Sequence, residues 1–348
     1  MRLAYFERWI DPAAEQVLAG QPDIKLDRLS YADPVAATFE RLSLARAYQI
    51  SPRTELLGPY LGDAHLLDRC QGILAISSTG AGYDMVDVAA CTAAGVIVCS
   101  QSGTNANAVA EHALGMMLSL AKRIAQTDKI MRRGGNLDRF VVKGTDLGGK
   151  TLGIVGIGKI GARTATLCKD LLGMTVLAYD PYLSAAQIEA KGATKVSIEE
   201  LLARSDFVSV HCPRTEETLG MFTLALFKQM KPSANFINTA RGGIHVEEDL
   251  AIALAEGIIA GAGVDVFLSE PAKADHPLLK FENVIATPHI AGMTDEAMRS
   301  MAIAAAEQWI VIKKGGVPPR LVNPEAWPKY RQRFESAFGF APAALKSS

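Results

Sequence analysis

The stretch TLGIVGIGKIG, residues 151–161, decides the fold. The β-branched and apolar run TLGIV leads straight into GIGKIG, which opens the helical pattern KIGARTATLCKDLLG. A bare GxGxxG triplet is weak evidence, but between a strand and a helix it has a mechanism. Gly156 makes the tight turn, Gly158 lets backbone approach a pyrophosphate, and Gly161 lets helix and strand pack closely. Lys159 and Ile160 begin the helix, whose N-terminus faces the phosphates. The next apolar run, TVLAYD, ends at Asp180, 19 residues beyond Gly161. An acidic group there accepts from a ribose 2′-hydroxyl and repels a 2′-phosphate, so the pattern selects NAD over NADP. Arg163 and Arg214 are the cations that would soften this preference.

Downstream, the runs FVSVHC (207–212), NFIN (235–238), AGAGVDV (260–266) and VIAT (284–287) alternate with helical stretches. Such alternation reads as βα units around a parallel, doubly covered sheet in an α/β protein. Upstream, NAVAEHALGMMLSLAKRIAQTDKIMRR reads as one long helix, stopped by Gly134-Gly135. The first hundred residues show a weaker alternation, with GILAIS and GVIVCS as runs. The tail from about residue 293 is too short for a domain and is expected to return to those first hundred residues. The expected division is 1–103 for the first part of a substrate domain, 104–292 for the dinucleotide domain, and 293–348 for the return and tail.

Composition removes several classes of function. A chain of 348 residues has room for about two domains. A net charge of −1 and basic runs no longer than a pair leave no footprint for nucleic acid or an anionic membrane. The most apolar stretch, AIALAEGIIAGAGVDVFL, is interrupted by Glu256 and Asp265, so no membrane span is expected. The N-terminus meets charge every few residues and is not expected to act as a signal. Five cysteines lack CxxC spacing, which points to reduced thiols and the cytoplasm, with no disulfide framework and no metal.

Four polar residues follow the later runs: Arg241 in INTARGG, Asp265 at the end of GAGVD, Glu270 in FLSEP and His289 after VIATP. In a doubly wound sheet, ligands bind at the carboxyl ends of the strands, so these residues should converge. Their types suit carbonyl reduction. An arginine fork binds a carboxylate and polarises the adjacent carbonyl. A histidine gives a proton to the oxygen as hydride reaches carbon. A glutamate beside it stabilises imidazolium, and Asp265 would hold the nicotinamide amide. Singly, each has a plainer reading: a helix cap for Arg241, a turn for Asp265, a solvated loop for Glu270, packing for His289. Cys212 has no evident base partner and gets no nucleophilic role.

These motifs, with SSTGAGYDMVD (77–87), TNANAVAEHALGMML, VHCPRTEETLGMF and TPHIAG, resemble the D-isomer-specific 2-hydroxyacid dehydrogenases. That family includes D-lactate, D-3-phosphoglycerate and hydroxypyruvate or glyoxylate dehydrogenases. The resemblance implies a Rossmann dinucleotide-binding domain inserted in a flavodoxin-like, discontinuous substrate domain. It implies Arg241, Glu270 and His289 as the catalytic set, and a homodimer built on the helix near 111–131. It adds His211, Cys212, Pro213, Thr218, Thr239 and Ala240 to the cofactor-lining residues. Thr79, Gly80 and Ala81 fall where backbone N–H groups bind the substrate carboxylate, Asn105 near the active site, and Arg53 where some members place a substrate arginine. The expected activity is NAD-dependent reduction of a 2-keto acid to a D-2-hydroxy acid.

Two departures from the family pattern stand out, Ser78 and Arg214, the latter standing where PLT is more usual and expected to touch only the adenine end of the cofactor. Ser78 stands where many phosphoglycerate members have arginine, which favours small unphosphorylated keto acids. The length of 348 residues is expected to leave no room for serine-sensing regulatory domains. D-3-phosphoglycerate dehydrogenase remains the alternative. Two remoter ones are an NAD-sensing corepressor and formate dehydrogenase, which has glutamine at the position of Glu270.

Overall fold

The computed structural model describes residues 1–52, 55–134 and 138–345. The chain divides into two compact units, Met1–Asn105 with Asp295–Ser348, and Ala106–Thr294. The first unit holds strands β1 (Arg2–Phe6), β2 (Lys25–Leu29), β3 (Ala47–Ile50), β4 (Ala75–Ser78) and β5 (Ile97–Cys99). They form a parallel sheet in the order β2-β1-β3-β4-β5, which is the flavodoxin-like order. Along β1, Leu3 and Tyr5 join one apolar cluster while Ala4 and Phe6 join another, so side chains alternate between two covered faces. The tail belongs to this unit. Trp309, on the helix Asp295–Lys313, donates its indole N–H to Gln49 Oε1 at 2.8 Å. Asn323 Oδ1 accepts from the Val98 N–H of β5 at 2.7 Å.

The second unit holds β6 (Thr151–Val155), β7 (Thr175–Tyr179), β8 (Thr194–Lys195), β9 (Phe207–Val210), β10 (Asn235–Asn238), β11 (Gly261–Val264) and β12 (Val284–Ala286). Its parallel order is β12-β11-β10-β9-β6-β7-β8. Renumbered within the unit this is 3-2-1-4-5-6-7, the Rossmann order extended by one strand. Neighbouring residues again take opposite faces: Val155 and Phe236 join one cluster, Ile154 and Ile237 the other. The order reverses between β6 and β9, which places a crevice at their carboxyl ends.

One expected element is corrected. The long helix before Gly134 is two helices, Ala106–Ala121 and Ile124–Arg132, separated by Arg123 in the left-handed region at φ 54°. The apolar period continues across the break, so the pattern alone did not show it. The first helix buries Ala113, Met116 and Met117, whereas the second buries no residue. Among the described residues no helix is long and apolar enough to cross a membrane.

Candidate active site

Asp180, His211, Thr239, Arg241, Asp265 and His289 each stand within three residues of the carboxyl end of a strand, and Glu270 and Thr218 lie further along the loops that follow. Gly156 follows β6 at φ 87°, and a Cβ there would lie 2.7 Å from the Cys212 nitrogen beyond β9. A glycine is therefore required where the two strand ends pass each other. Lys159 and Ile160 open the helix Lys159–Leu172 behind Gly158. Asp180 follows β7 and accepts from the Ile157 N–H at 3.2 Å and the Tyr182 N–H at 3.1 Å. These bonds tie the carboxylate to the glycine turn.

The residues present fit a dinucleotide. Among the described residues nothing lies within 4 Å of the position a Gly158 Cβ would take. Two polar atoms at neighbouring strand ends, His211 Nδ1 and Thr239 Oγ1, are buried without a hydrogen-bond partner among the described residues, so a ligand's polar groups would satisfy them. His211 Nε2 is paired with Ser209 Oγ at 2.9 Å, and burial pushes the ring down to about 4, so it is neutral near pH 7. Burial likewise pushes the Cys212 thiol up to about 11, which keeps it from acting as a thiolate nucleophile. Thr218 Oγ1 donates to the Pro213 carbonyl at 2.7 Å and closes the loop after β9. Arg163 donates to Asn107 Oδ1 at 2.8 Å, and Arg214 donates to the Gly242 carbonyl at 3.2 Å. Arg214 thus braces the turn carrying Arg241.

That turn is shaped by Asn238, which sequence reasoning passed over although it stands inside NTARGG. Its side chain is fully buried. Its Oδ1 accepts from the Ala240 N–H at 2.9 Å, and its amide N–H donates to the Arg241 carbonyl at 3.0 Å. It also bonds His245 Nδ1 at 2.9 Å. The guanidinium donates to the Ala240 carbonyl at 2.6 Å. Beyond it, Gly242 passes so close to the next loop that a Cβ would fall 1.8 Å from the Phe267 carbonyl oxygen. Phe267 in turn donates its N–H to Glu270 Oε1 at 3.0 Å. One residue therefore connects the arginine turn to the glutamate loop.

Glu270 Oε2 lies 2.8 Å from His289 Nδ1. Burial pushes Glu270 up, but the His289 ring, the Phe267 N–H and the Arg241 charge outweigh it and hold its pKa below the ordinary glutamate value. An ionised Glu270 accepts only, so His289 Nδ1 carries a proton and Nε2 is the atom left for proton exchange. His289 is a non-glycine residue at φ 58°, a conformation that needs outside support. Asp265 supplies it. Its carbonyl accepts from the His289 N–H at 2.7 Å. Its carboxylate, with no exposure, accepts from Thr287 Oγ1 (2.6 Å), Ile290 N (2.9 Å) and Ala291 N (2.9 Å). The expected nicotinamide ligand is thus the anchor of the histidine turn.

In the first unit, Thr79, Gly80 and Ala81 follow β4. Thr79 Oγ1 donates to the Ile50 carbonyl at 2.8 Å. The Gly80 carbonyl accepts from Ser78 Oγ at 2.7 Å and from the Gln101 N–H at 2.8 Å. Asn105 closes the first segment of this unit, with its Oδ1 buried and without a partner. Arg53 lies outside the described residues.

The family model for the NAD binding domain of D-isomer specific 2-hydroxyacid dehydrogenases matches residues 114–291. A D-3-phosphoglycerate dehydrogenase of Archaeoglobus fulgidus is 40% identical over 253 residues, which is 73% of this chain and 48% of that protein. The chain thus spans about half the length of that relative. A glyoxylate reductase of Thermofilum pendens is 39% identical over 275 residues, 76% of this chain and 78% of that one. The D-lactate dehydrogenase of Aquifex aeolicus, solved with NAD and lactic acid, superposes with TM-score 0.78 at 26% identity, covering 92% of this chain and 98% of that one. The chain belongs to the D-isomer specific 2-hydroxyacid dehydrogenase family, and residues 114–291 are its NAD-binding domain.

Proposed function

We propose that the protein reduces a 2-keto acid to the D-2-hydroxy acid with NADH, and runs the reverse reaction with NAD. The observation that carries this reading is the 2.8 Å pair of His289 Nδ1 and Glu270 Oε2 on a loop that touches the Arg241 turn through Gly242 and Phe267. NADH, when bound at Gly156, Gly158, Lys159, Ile160 and Asp180, supplies the hydride. Arg241 grips the carboxylate and polarises the neighbouring carbonyl. Glu270 keeps the proton on Nδ1 and stabilises the imidazolium, so that Nε2 gives its proton to the developing alkoxide. In the oxidative direction the neutral Nε2 takes that proton back. His211, Cys212, Pro213, Thr218, Thr239 and Ala240 are assigned to the cofactor.

The loop Thr79–Gly80–Ala81 is assigned to the substrate carboxylate. Its carbonyl bonds are made within the protein, and no described residue accepts from the N–H of Gly80 or Ala81. Asn105 and Arg53 are assigned to the same substrate. Ser78 is fully buried and spends its hydroxyl on the Gly80 carbonyl, so it brings no charge to a phosphate. The proposed substrates are therefore small unphosphorylated keto acids such as glyoxylate, hydroxypyruvate or pyruvate. We also assign a homodimer, in a reducing cytoplasmic setting. Ile124, Met131, Phe140 and Val141 are all more than half exposed along and just beyond the helix Ile124–Arg132, and all five cysteines are free.

The test is a keto-acid panel with NADH and with NADPH, scored by kcat/KM. It includes hydroxypyruvate in competition with its 3-phosphorylated form. NADH turnover of at least one 2-keto acid is expected, with the unphosphorylated acid ahead by about tenfold. A win for the phosphorylated acid assigns the phosphoglycerate reaction. A preference for NADPH overturns the role of Asp180. Inertness to every 2-keto acid overturns the function.

A further inference from the structure

The anchor of the histidine turn continues outward through two side chains that have no role in the scheme above. Thr287 Oγ1 lies 2.6 Å from Asp265 Oδ1, on a carboxylate that accepts backbone N–H bonds on both of its oxygens. The single hydroxyl proton of Thr287 therefore goes to Asp265. His112 Nε2 lies 3.0 Å from the same hydroxyl oxygen. That oxygen has only lone pairs left to offer, so the imidazole donates and its proton sits on Nε2. The result is a directed chain from His112 Nε2–H to Thr287 O–H to Asp265 Oδ1. It starts on the helix Ala106–Ala121, where the His112 side chain is 23% exposed, and ends on a carboxylate with no exposure.

The end of that chain has a consequence for the proposed chemistry. The left-handed backbone of His289 is flanked by four bonds to Asp265: from the Thr287 hydroxyl before it, from the His289 N–H, and from the Ile290 and Ala291 N–H groups after it. The carbonyl and carboxylate of one residue thus hold the backbone turn that carries the imidazole. Two of the carboxylate's acceptor directions are occupied by backbone N–H groups and a third by Thr287, whose hydroxyl oxygen is held from its other side by His112. We propose that His112 and Thr287 are positioning residues for the acid/base His289, acting through Asp265. The inference rests on the reading of His289 as the proton donor.

Thr287→Val keeps the shape and removes the hydroxyl, whereas Thr287→Ser keeps the hydroxyl. With the best keto acid of the panel, Thr287→Val should lower kcat by about tenfold or more, as a buried carboxylate loses a donor. The NADH dissociation constant, read by fluorescence titration, should stay that of the wild type. The isotope effect with NADH deuterated at the transferred position should rise as the chemical step becomes limiting. Thr287→Ser should return kcat to within about threefold. A kcat for Thr287→Val within about twofold of wild type, or an equal loss in Thr287→Ser, overturns the inference.

His112→Phe and His112→Gln read the outer link on a partly exposed site if Thr287→Val fails to fold. Phenylalanine should cost several-fold in kcat with KM unchanged, and glutamine, whose amide N–H has similar reach, should restore it. Equal kcat in wild type and both variants overturns the link. Nitrogen-15 NMR of the wild-type imidazoles needs no activity: a proton on Nε2 of His112 supports the chain, and one on Nδ1 alone breaks it. A wild type inert to every keto acid but with His112 protonated on Nε2 would sink the functional reading and leave the hydrogen-bond chain standing.

Discussion

Two loops in this molecule follow the carboxyl ends of parallel strands and use their backbones in opposite ways. After β4, the Gly80 carbonyl is consumed, accepting from the Ser78 hydroxyl and the Gln101 N–H, while no described residue accepts from the N–H of Gly80 or Ala81. What remains to offer is N–H. After β12, the N–H groups are consumed: those of His289, Ile290 and Ala291 all run to Asp265. What remains is an imidazole. Hydrogen-bonding groups near the protein interior must be satisfied, so the set a loop commits internally decides the set it presents. A loop of spare donors suits an anion, and a loop of satisfied donors suits a side chain that handles a proton.

The comparison breaks most visibly at the imidazole. His289→Gln removes the proton carrier and should cost ~10²–10⁴-fold in kcat. Steady-state kinetics in both directions check it, and a variant that keeps most of its rate would assign the proton to another group. Arg241→Ala should cost about a hundredfold or more in kcat/KM, with poor rescue by lysine, which lacks the planar fork. Near-normal kinetics would remove the arginine from substrate recognition.

Glu270→Gln sharpens the second loop. Reduction needs protonated His289 and oxidation the neutral ring, so reduction should fall and oxidation rise with increasing pH. Removing the negative neighbour should move both profiles to lower pH. The same substitution has a stability counterpart. The folded pKa of Glu270 lies below its unfolded value. Its stabilising contribution is therefore present above the ordinary glutamate value of about 4.3 and lost as pH falls through the folded pKa. The Tm gap between wild type and Glu270→Gln should close on the acid side of pH ~4. The smallest effect belongs to the first loop. Ser78→Ala frees one lone pair on the Gly80 carbonyl, and KM for the keto acid should rise by about threefold with kcat unchanged. A fall in kcat instead would show that this loop shapes the chemical step.

Much of the second unit could be read from residues because its glycines, acids and bases are set where the strands end. TLGIV, NFIN and VIAT coincide with or contain β6, β10 and β12. The first unit was harder. Its β2 reads KLDRL, an edge strand with three charges in five residues, and β3 reads AYQI, with Gln49 buried to meet Trp309 some 260 positions away. No local pattern announces such a partner. The same limit applied to the site. Residue type pointed to Arg241, Glu270 and His289, whereas Asn238, Thr287 and His112 matter through geometry. The direction of a hydrogen bond and the sign of a backbone angle are not written in a string. Asp265 stood out in the sequence, but its bonds to the histidine loop could be seen only once β11 and β12 were side by side.

The contact at Gly242 sets a ruler for the substrate. Its α-carbon rests so near the Phe267 carbonyl that no side chain has room between them, while the Phe267 N–H holds Glu270, which holds His289. The spacing between the arginine turn and the glutamate loop is therefore gauged by backbone contact. Moving the carboxylate one carbon further from the carbonyl would require rebuilding two loops at once. On the proposed reaction, a 3-keto acid should turn over far more slowly than the matching 2-keto acid.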